Sequence, residues 1–517
     1  MNNDKKNTSE RDSSTISVWQ EGLERPAANP GQPADQTIYD VLIVGAGLTG
    51  ITTALMLQHA GKQCILIEGN TIGYGTTGGT SAHLNTFFDA TYPEIDQDFG
   101  TDASRLVAEG GKEAFSLISA FVNKYNIDCD LEYKDAYLFS ENEKESKQLA
   151  DILKASKNAG IAVDEANENG VPISFDQAIL FKDQGQFHPL KYGYALVEAF
   201  KSAGGKVLEN TFIDKATYED DVHTVWSGDT LLKGKNLIYA THIPPGINIL
   251  SLRCAPYRSY VLGIKLKDEA YPDALSYDMQ EPYHYFRSHV IEGQRYLILG
   301  GEDHKTGHDD PEMAFNNLEA YARKHFKVDA VTYKWSAQYY VPADGLPYIG
   351  IHPQGNEHTF IATGFNGNGM MFGTLSAKII CDLILGNESK YAKLFSPSRI
   401  KPIAGFMDFV KENADVAYHF VADRFSAKEI ESLTEIKAGE GQIIEYKDQK
   451  LAVYKDSSGK ISALDPVCTH AGCIVKFNTS EKSWDCPCHG GRFSIDGKVL
   501  NGPPTQDLKA YDLTTLK

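Results

Sequence analysis

The sequence contains 517 residues, 42% hydrophobic and 23% charged, which is enough apolar chain for two or three globular domains. Its 50 Lys and Arg against 69 Asp and Glu give a formal net charge of −19. This charge argues against nucleic acid or anionic lipid as a partner, because both would be repelled. No charge-free apolar run reaches the roughly 18–20 residues of a membrane-spanning helix, so no membrane span is predicted.

The N-terminal residues 1–36 are polar and rich in Ser, Asn, Pro and Gln. This composition predicts a disordered arm that precedes the first folded domain. The segment lacks the apolar core of a secretory signal, so we expect a cytoplasmic protein.

The next segment predicts a dinucleotide-binding unit. The apolar run YDVLIV (39–44) predicts a buried parallel strand, GAGLTG follows it, and a helical stretch leads to a second strand that ends on Glu68. In such a unit Gly45 makes the tight turn, Gly47 lets the backbone approach a pyrophosphate, and Gly50 allows close packing of helix and strand. The helix N-terminus offers N–H groups to the phosphates, and a glutamate favours the unphosphorylated ribose of FAD or NAD.

Three later segments favour FAD. The small-residue loop GYGTTGGTSAHLN (73–85) is suited to wrapping a flavin. NLIYAT (236–241) predicts another short apolar strand far along the chain. The run DGLPYIGIHP (344–353) precedes a strand, a glycine turn and a long helix in residues 359–386, so a second helix N-terminus can face the same cofactor.

With these motifs in this order, the chain from about 38 to 388 resembles the D-amino-acid-oxidase-like superfamily of FAD enzymes, which includes glycine, sarcosine and gamma-glutamylputrescine oxidases. The resemblance implies an FAD-dependent oxidoreductase over 37–388. Its α/β Rossmann-like FAD-binding domain is interleaved with a mixed-sheet α+β substrate domain. The FAD-binding parts are about 37–90, 190–250 and 340–388, and the substrate-domain parts are about 91–189 and 251–339.

The resemblance also implies which residues contact FAD. Relatives of the sarcosine-oxidase type tether the flavin through a cysteine just before a Pro-x-Asp segment, and Ala337 stands there in this chain, so we predict non-covalent FAD. The predicted FAD-binding residues are Gly45, Gly47, Leu48, Thr49, Gly50, Glu68, Thr76, Thr77, Ser81, Ala82, His83, Ile213, Ala240, Gly364, Phe365, Asn366, Gly367, Asn368, Gly369 and Met370.

The same resemblance places strands of the substrate domain against the flavin. Arg258 or Arg287 is expected to anchor a substrate carboxylate, and His304 or Lys305 to face the flavin ring. Hydride transfer needs chiefly orientation and a neutral amine, so no obligatory base is predicted. The expected aromatic wall consists of Tyr257, Tyr283, Tyr285, Trp335, Tyr339 and Tyr340. The predicted catalytic residues are Arg258, Tyr285, His304 and Tyr340.

The last part of the chain has a different pattern. Residues 389–427 are predicted to form a linker of helix and loop, and short β runs then predict a small all-β domain over 428–517. Inside it, Cys468-x-His470 is followed by Cys486-x-x-His489. Two sulfurs and two imidazoles could bind zinc tetrahedrally or hold a [2Fe–2S] centre in which two histidines serve one iron.

The flanking sequences CTHAGC and CPCHG resemble the Rieske [2Fe–2S] family. The resemblance implies Cys468 and Cys486 as ligands of the inner iron, and His470 and His489 as ligands of the outer iron.

The Rieske resemblance carries two further implications. Cys473 and Cys488 match the pair that forms a disulfide between the two ligand loops in some members of the family. High-potential members place a serine and a tyrosine two and four residues after the last histidine ligand. Gly491 and Phe493 stand at those places and offer no side-chain hydrogen bond, so a lower potential is predicted.

Together these features predict an FAD-dependent enzyme that oxidises a C–N bond of an amine or amino acid by hydride transfer. Its electrons would leave singly through the Rieske cluster to an external acceptor, which could be a redox partner protein. Two alternatives stay open. One is a flavin oxidase that uses oxygen and has a structural or sensory cluster; the other is a reductase or electron-transfer protein that feeds a partner.

Overall fold

The computed structural model describes residues 11–26, 37–400, 428–430 and 432–513, together with Asp415 and His419. The strands of these residues form four sheets. No helix within them combines the length and the apolar character needed to cross a lipid bilayer.

An eight-stranded sheet contains the predicted dinucleotide-binding unit. Its central strands are parallel, with Val41 paired to Cys64 on one side and to Asn236 on the other. Strand Ile38–Val44 is largely buried: Val41 and Ile43 pack in the core that contains the helices, whereas Leu42 and Val44 pack on the other face with Val225 of an antiparallel strand. In spatial order the strands are Tyr348–Ile351, Thr359–Thr363, Thr230–Tyr239, Ile38–Val44, Cys64–Ile67 and Lys206–Leu208, with Lys215–Glu219 and Val222–Ser227 attached through Thr230–Tyr239.

The helices of this half pack around the first helix, Leu48–His59, which contacts both Pro189–Ser202 and Gly369–Leu385. Thr101–Tyr125 lies against the last of these. The other α-helices among the described residues, in both halves of the protein, are Thr76–Gly79, Tyr92–Phe99, Glu143–Asn158, Ile249–Arg253, Pro311–His325 and Ala392–Phe395.

A nine-stranded mixed sheet forms the interleaved domain. Its three longest strands pair antiparallel, with Tyr257 opposite Lys305 on one side and Tyr339 on the other. In spatial order the strands are Val328–Pro342, Cys254–Leu266, Gln294–Lys305, Tyr285–Ile291, Leu275–Asp278, Glu132–Ser140, Gln177–Gln186 and His83–Leu84, with Val163–Ala166 paired to Gln177–Gln186. The predicted α+β fold is confirmed.

Two four-stranded sheets form the C-terminal all-β domain. Outside these sheets, Ala510 forms an isolated antiparallel bridge to Leu464. The first sheet contains Lys428–Glu429, Gly441–Tyr446, Gln449–Lys455 and Ile461–Leu464, and the second Lys476–Asn478, Ser483–Asp485, Arg492–Ser494 and Val499–Asn501.

Residues 11–26 correct the expectation of a disordered arm over 1–36. Trp19 is fully buried and donates through Nε1 to the carbonyl of Thr80 at 2.6 Å. Ser17 Oγ donates to the carbonyl of Gly78 at 2.5 Å, and a short helical turn spans Val18–Gln20. The polar composition of this segment did not indicate that it is ordered, because its buried polar groups hydrogen-bond to residues distant in sequence. The rest of the predicted arm, 1–10 and 27–36, lies outside the described residues.

Candidate functional site

A cavity of about 730 Å³ runs between the eight-stranded and nine-stranded sheets, a volume typical of small-molecule and cofactor pockets. One end is bounded by the glycine turn after the first strand and by Glu68, Asn70 and Phe212. The other end is bounded by the mixed sheet, including Tyr283 and Asp303. The cavity is thus shaped for an elongated ligand that reaches from one domain into the other.

The glycine turn leaves no room for side chains. Gly45 has φ +106°, and a Cβ there would lie 2.4 Å from the carbonyl oxygen of Ala240. A Cβ at Gly50 would lie 1.9 Å from the carbonyl oxygen of Gly45, so helix and turn meet backbone to backbone. The carboxylate of Glu68 accepts from the N–H of Ala46 at 2.7 Å and of Asn70 at 2.9 Å, which fixes it at the cavity wall. These features fit the predicted dinucleotide site.

Most residues predicted to bind FAD line this cavity. The exceptions are Gly50, Ala82 and Gly364, which lie behind the wall and shape it. The carbonyl of Ala82 accepts from Arg287 Nη1 at 2.9 Å, and Gly364, at φ +73°, packs on Pro342. The cavity-lining predictions are Gly45, Gly47, Leu48, Thr49, Glu68, Thr76, Thr77, Ser81, His83, Ile213, Ala240, Phe365, Asn366, Gly367, Asn368, Gly369 and Met370.

Tyrosines and one carboxylate form the mixed-sheet end. Asp303 Oδ2 accepts from Tyr339 Oη at 2.8 Å, whereas Asp303 Oδ1 is buried without a hydrogen-bond partner. Burial raises the pKa of Asp303 to about 7, and the neighbouring Ser259 and Tyr339 only partly offset that rise. Tyr285 Oη is 3.0 Å from Ser259 Oγ. A Cβ at Gly300 would lie 2.0 Å from the Tyr285 ring, so this glycine lets the ring lie flat on the strand.

His83 and Asn85 extend this end of the cavity. Tyr277 Oη hydrogen-bonds to His83 Nδ1 and accepts from Asn85 Nδ2 at 2.7 Å. His83 Nε2 and Asn85 Oδ1 are buried without partners. Burial lowers the pKa of His83 well below its usual value, with a further contribution from Arg287, so the imidazole is neutral. Both orphaned atoms belong to cavity-lining residues and are available to a ligand.

Only Tyr285, of the four predicted catalytic residues, lines the cavity. Arg258 donates to Ser336 Oγ and lies 3.5 Å from Glu481, and His304 Nε2 is 2.9 Å from Tyr260 Oη. Adjacent residues of a strand face opposite sides of the sheet. The side chain that faces the cavity therefore belongs to the residue next to each predicted one. Ser259, Asp303 and Tyr339 line the cavity in place of Arg258, His304 and Tyr340.

The other predicted substrate contacts are also turned away. Arg287 Nη1 donates to the carbonyl of Ser81 at 2.8 Å, and Arg287 Nη2 lies 2.8 Å from His289 Nδ1. Lys305 forms an ion pair with Asp415. Of the predicted aromatic wall, Tyr283, Tyr285 and Tyr339 line the cavity, whereas Tyr257, Trp335 and Tyr340 do not.

The C-terminal domain gathers the predicted metal ligands. Cys468 and Cys486 are buried free thiols, and the rings of His470 and His489 have centroids 4.8 Å apart. The Nδ1 atoms of both histidines are buried without hydrogen-bond partners. Burial lowers the pKa of His489 to about 3, which keeps it in the neutral form that binds metals. Two thiols and two orphaned imidazole nitrogens form a suitable donor set for a Rieske centre.

A disulfide joins Cys473 to Cys488, as the Rieske resemblance implied, and links the two ligand loops. The loop Gly502-Pro503-Pro504 lies next to them, since a Cβ at Gly491 would lie 2.8 Å from Pro504 Cδ and 3.6 Å from Cys468 Sγ. A serine at 491 would therefore displace this loop.

The two sites share a wall. Leu500, Asn501, Gly502 and Pro504 of the C-terminal domain line the same cavity as the glycine turn. The N–H of Gly246, in the eight-stranded-sheet domain, donates to the carbonyl of Pro503 at 2.8 Å. The predicted iron–sulfur centre is thereby held against the predicted flavin domain.

One residue connects the cavity wall to the ligand loops. The carbonyl of Gln338 accepts from Thr76 Oγ1 at 2.7 Å, and its side-chain Nε2 donates to the carbonyl of Gly490 at 2.9 Å. Gly490 follows the predicted ligand His489 directly. The other predicted histidine ligand, His470, lies with Nε2 3.2 Å from the carbonyl of Gly246. His470 therefore contacts the flavin-type domain through its side chain, and the loop of His489 does so through the backbone of Gly490.

A second group of metal-type side chains lies outside the cavity. His308, Asp415 and His419 bring one ligand atom each to within 4.8 Å of one another. Lys305 forms an ion pair with this carboxylate, so the charge of Asp415 is already balanced by an ammonium group.

The geometry defines a flavoprotein-type cavity joined to a Cys₂His₂ iron–sulfur-type centre, and comparison with known proteins agrees. A family model described as FAD dependent oxidoreductase matches residues 40–383, and one described as Rieske [2Fe-2S] domain matches residues 427–512. A Bacillus subtilis (strain 168) protein described as "Putative Rieske 2Fe-2S iron-sulfur protein YhfW" is 33% identical over 489 residues, or 94% of this chain and 96% of that protein.

More distant relatives match the first part of the chain. Gamma-glutamylputrescine oxidoreductase of Escherichia coli (strain K12) is 22% identical over 370 residues, which is 68% of this chain and 85% of that protein. The crystal structure of glycine oxidase from Geobacillus kaustophilus shares the fold with a TM-score of 0.60 at 20% identity, covering 71% of this chain and 100% of that chain.

The chain belongs to the FAD-dependent oxidoreductase family and carries a C-terminal Rieske [2Fe–2S] domain. Both resemblances found in the sequence are confirmed, and FAD and a [2Fe–2S] cluster are its cofactors.

Proposed function

We propose that this protein oxidises a C–N bond of an amine or amino acid and passes the electrons one at a time to an external acceptor. The observation that carries the proposal is the shared wall, because residues 500–502 and 504 of the Rieske domain line the cavity that contains the FAD fingerprint. When bound, FAD takes up a hydride from the carbon next to nitrogen, and the cluster carries single electrons. The substrate leaves as an imine, which water hydrolyses.

The chain itself supplies orientation and exclusion of water. Tyr285 and Tyr339 form an aromatic wall at the mixed-sheet end, and Gly502 and Pro504 close the side next to the Rieske domain. His83 is held neutral by burial, so it can donate or accept a hydrogen bond without adding charge.

His470 and His489 would hold one iron of the cluster, and His470 Nε2 lies 3.2 Å from the carbonyl of Gly246, so the cluster would take up single electrons on the side of the flavin-type domain. Both residues are buried, at 8% and 6% exposure. Gln338, bonded to Thr76 on the cavity side and to Gly490 on the cluster side, gives a hydrogen-bonded connection between the two sites. An external acceptor would then approach from another face of the Rieske domain.

Replacement of a predicted cluster ligand tests this proposal. We expect Cys486→Ser to retain anaerobic flavin bleaching by an amine and to lose reduction of a one-electron dye. Oxygen consumption and dye reduction that both equal those of the wild type would show that the cluster does not carry substrate electrons, as in a simple oxidase. Gln338→Leu, which keeps every predicted ligand, provides a second variant and should slow dye reduction while the cluster EPR signal is retained.

A further inference from the structure

We propose that the substrate is a cationic amine with no carboxylate next to the reacting carbon, and that its ammonium group is bound by Asp303. The inference rests on the proposed C–N oxidation and narrows it from amines and amino acids to amines alone.

The charge of the cavity wall is the first observation. No Lys or Arg occurs among the described residues that line the cavity. A substrate carboxylate at the mixed-sheet end would therefore lie beside the carboxyl groups of Asp303 and Asp89 with no cation to pair with, which costs free energy in a desolvated site. The acidic residues that line the cavity are Glu68, Asp89, Glu94, Asp151, Asp278, Glu281 and Asp303.

The two arginines that were expected to anchor a substrate carboxylate, Arg258 and Arg287, hydrogen-bond to other groups of the protein. Arg258 donates to Ser336 Oγ at 3.0 Å through Nε and pairs with Glu481, on the side of the sheet away from the cavity. Arg287 is fully buried and donates through Nη1 to the carbonyls of Ser81 and Ala82. Release of either guanidinium toward a ligand would leave buried acceptors without a partner.

Asp303 is the second observation. Its Oδ2 accepts from Tyr339, and its Oδ1 is buried with no hydrogen-bond partner. A buried carboxylate oxygen without a donor is unfavourable, and an ammonium N–H supplies both the missing donor and the opposite charge. Hydride transfer needs the neutral amine, so the ammonium group gives one proton to the Asp303 carboxylate before the C–H bond breaks.

The neighbouring side chains complete a site for a cation. The rings of Tyr283 and Tyr285 lie 5.9 Å apart at this end of the cavity, and Tyr339 closes a third side. Aromatic faces stabilise cations through the negative potential of the ring. His83 adds no opposing charge because its imidazole is neutral.

Matched ligand pairs test the inference on the intact holoenzyme. We would titrate putrescine against ornithine, and dimethylamine against sarcosine, following perturbation of the flavin absorbance under anaerobic conditions. In each pair the amine should bind at least tenfold more tightly than the amino acid that carries the extra carboxylate. Equal or tighter binding of the amino acids, or no spectral perturbation by either amine, would overturn the inference.

The rate of flavin bleaching separates this inference from the proposed function. If the amino acids bleach the flavin and the amines do not, C–N oxidation stands and the cationic-amine assignment falls. If an amine binds but no ligand bleaches a flavin that dithionite reduces, the binding assignment stands and C–N oxidation falls.

A charge-removing variant identifies the anchor. Asp303→Asn keeps an oxygen that can accept from Tyr339 but removes the negative charge, so we expect amine affinity to fall roughly tenfold to a hundredfold. Asp329→Asn removes an exposed carboxylate from strand Val328–Pro342 of the same sheet, outside the cavity, and should bind amines as the wild type does. Unchanged amine affinity in the Asp303→Asn holoenzyme would exclude Asp303 as the anchor.

Discussion

Asp303 sets the chemistry at the mixed-sheet end of the cavity because its carboxylate is desolvated and only one of its two oxygens accepts a hydrogen bond. Burial is the main reason that its pKa is raised, and the nearby charge of Asp89 adds to the rise. His284 opposes it, and the phenols of Tyr339 and Tyr283 face it without charge at neutral pH. The protonation state of one side chain therefore controls whether this end attracts a cation.

Amine affinity should depend on pH through this group. The ionised form of Asp303 binds a cation, and its pKa is about 7, so affinity should rise as pH increases through 7 while the amine stays protonated. The pH dependence of the dissociation constant, measured by flavin absorbance, checks this. In Asp303→Asn the dependence should vanish; the same slope in that variant would assign it to another group.

The hydrogen-bonding environment of the cluster offers a second residue-scale test. Phe493 is fully buried within the ligand-loop core and lacks the hydroxyl that high-potential members have at this place. Phe493→Tyr should raise the midpoint potential by roughly 40–60 mV, the equivalent of about 1–1.5 kcal/mol for one added hydrogen bond. An EPR-monitored redox titration measures the shift, with Phe477→Tyr as the control, because Phe477 follows the histidine ligand of its loop by seven residues and Phe493 by four.

At the scale of elements, the N-terminal segment 11–20 supports the loop that lines the cavity. Trp19 and Ser17 donate to carbonyls of Thr80 and Gly78, and the Arg287 guanidinium lies 5.2 Å from the centre of the Trp19 ring. The flavin loop contains many small residues and cannot bury much surface of its own. Its shape therefore depends on a segment about 60 residues earlier in the chain.

Truncation of Trp19 should loosen this loop. Trp19→Ala removes a fully buried ring, so we expect a loss of about 3–5 kcal/mol in unfolding free energy and faster release of FAD. Urea unfolding and FAD fluorescence after gel filtration measure the two effects. Ile16→Ala, at a position 38% exposed, serves as the control and should change stability by less than about 1 kcal/mol. Full FAD retention in Trp19→Ala would contradict the supporting role.

At the scale of the whole molecule, a buried ionic network joins the N-terminal segment, the mixed sheet and the Rieske domain. Arg492 lies 3.0 Å from Asp485 and 3.1 Å from Asp12, and Arg258 lies 3.5 Å from Glu481. Burial alone would raise the pKa of Asp12, but Arg11 and Arg492 lower it below its usual value. The carboxylate is therefore ionised in the folded protein, and its contribution to stability falls as pH drops through the acid range.

Removal of one cation from this network should weaken the attachment of the Rieske domain. Arg492→Met leaves Asp485 buried without its main partner and Asp12 paired with Arg11 alone, so we expect a loss of about 3–5 kcal/mol. Calorimetry should also show separate unfolding of the two parts. Arg323→Met breaks an exposed helical pair with Glu319 and should cost less than about 1 kcal/mol. Equal stability of the two variants would show that the network is not important for domain attachment.

The sequence alone determined the features that depend on local patterns. Glycine spacing with a flanking strand, helix and acid identified the dinucleotide unit around Gly45 and Glu68, because each part has a fixed neighbour along the chain. The cysteine and histidine pattern identified the Rieske domain for the same reason, since its ligands lie on two short loops.

Only the tertiary structure decided which side chains face the substrate and how the domains meet. Arg258, His304 and Tyr340 were predicted one residue away from the cavity-lining positions. Consecutive residues of a strand face opposite sides of the sheet, but the packing of the sheet decides which of its two faces borders the cavity. The buried segment around Trp19 and the wall shared with Pro504 depend on contacts between residues far apart in the chain, and no local pattern encodes such contacts.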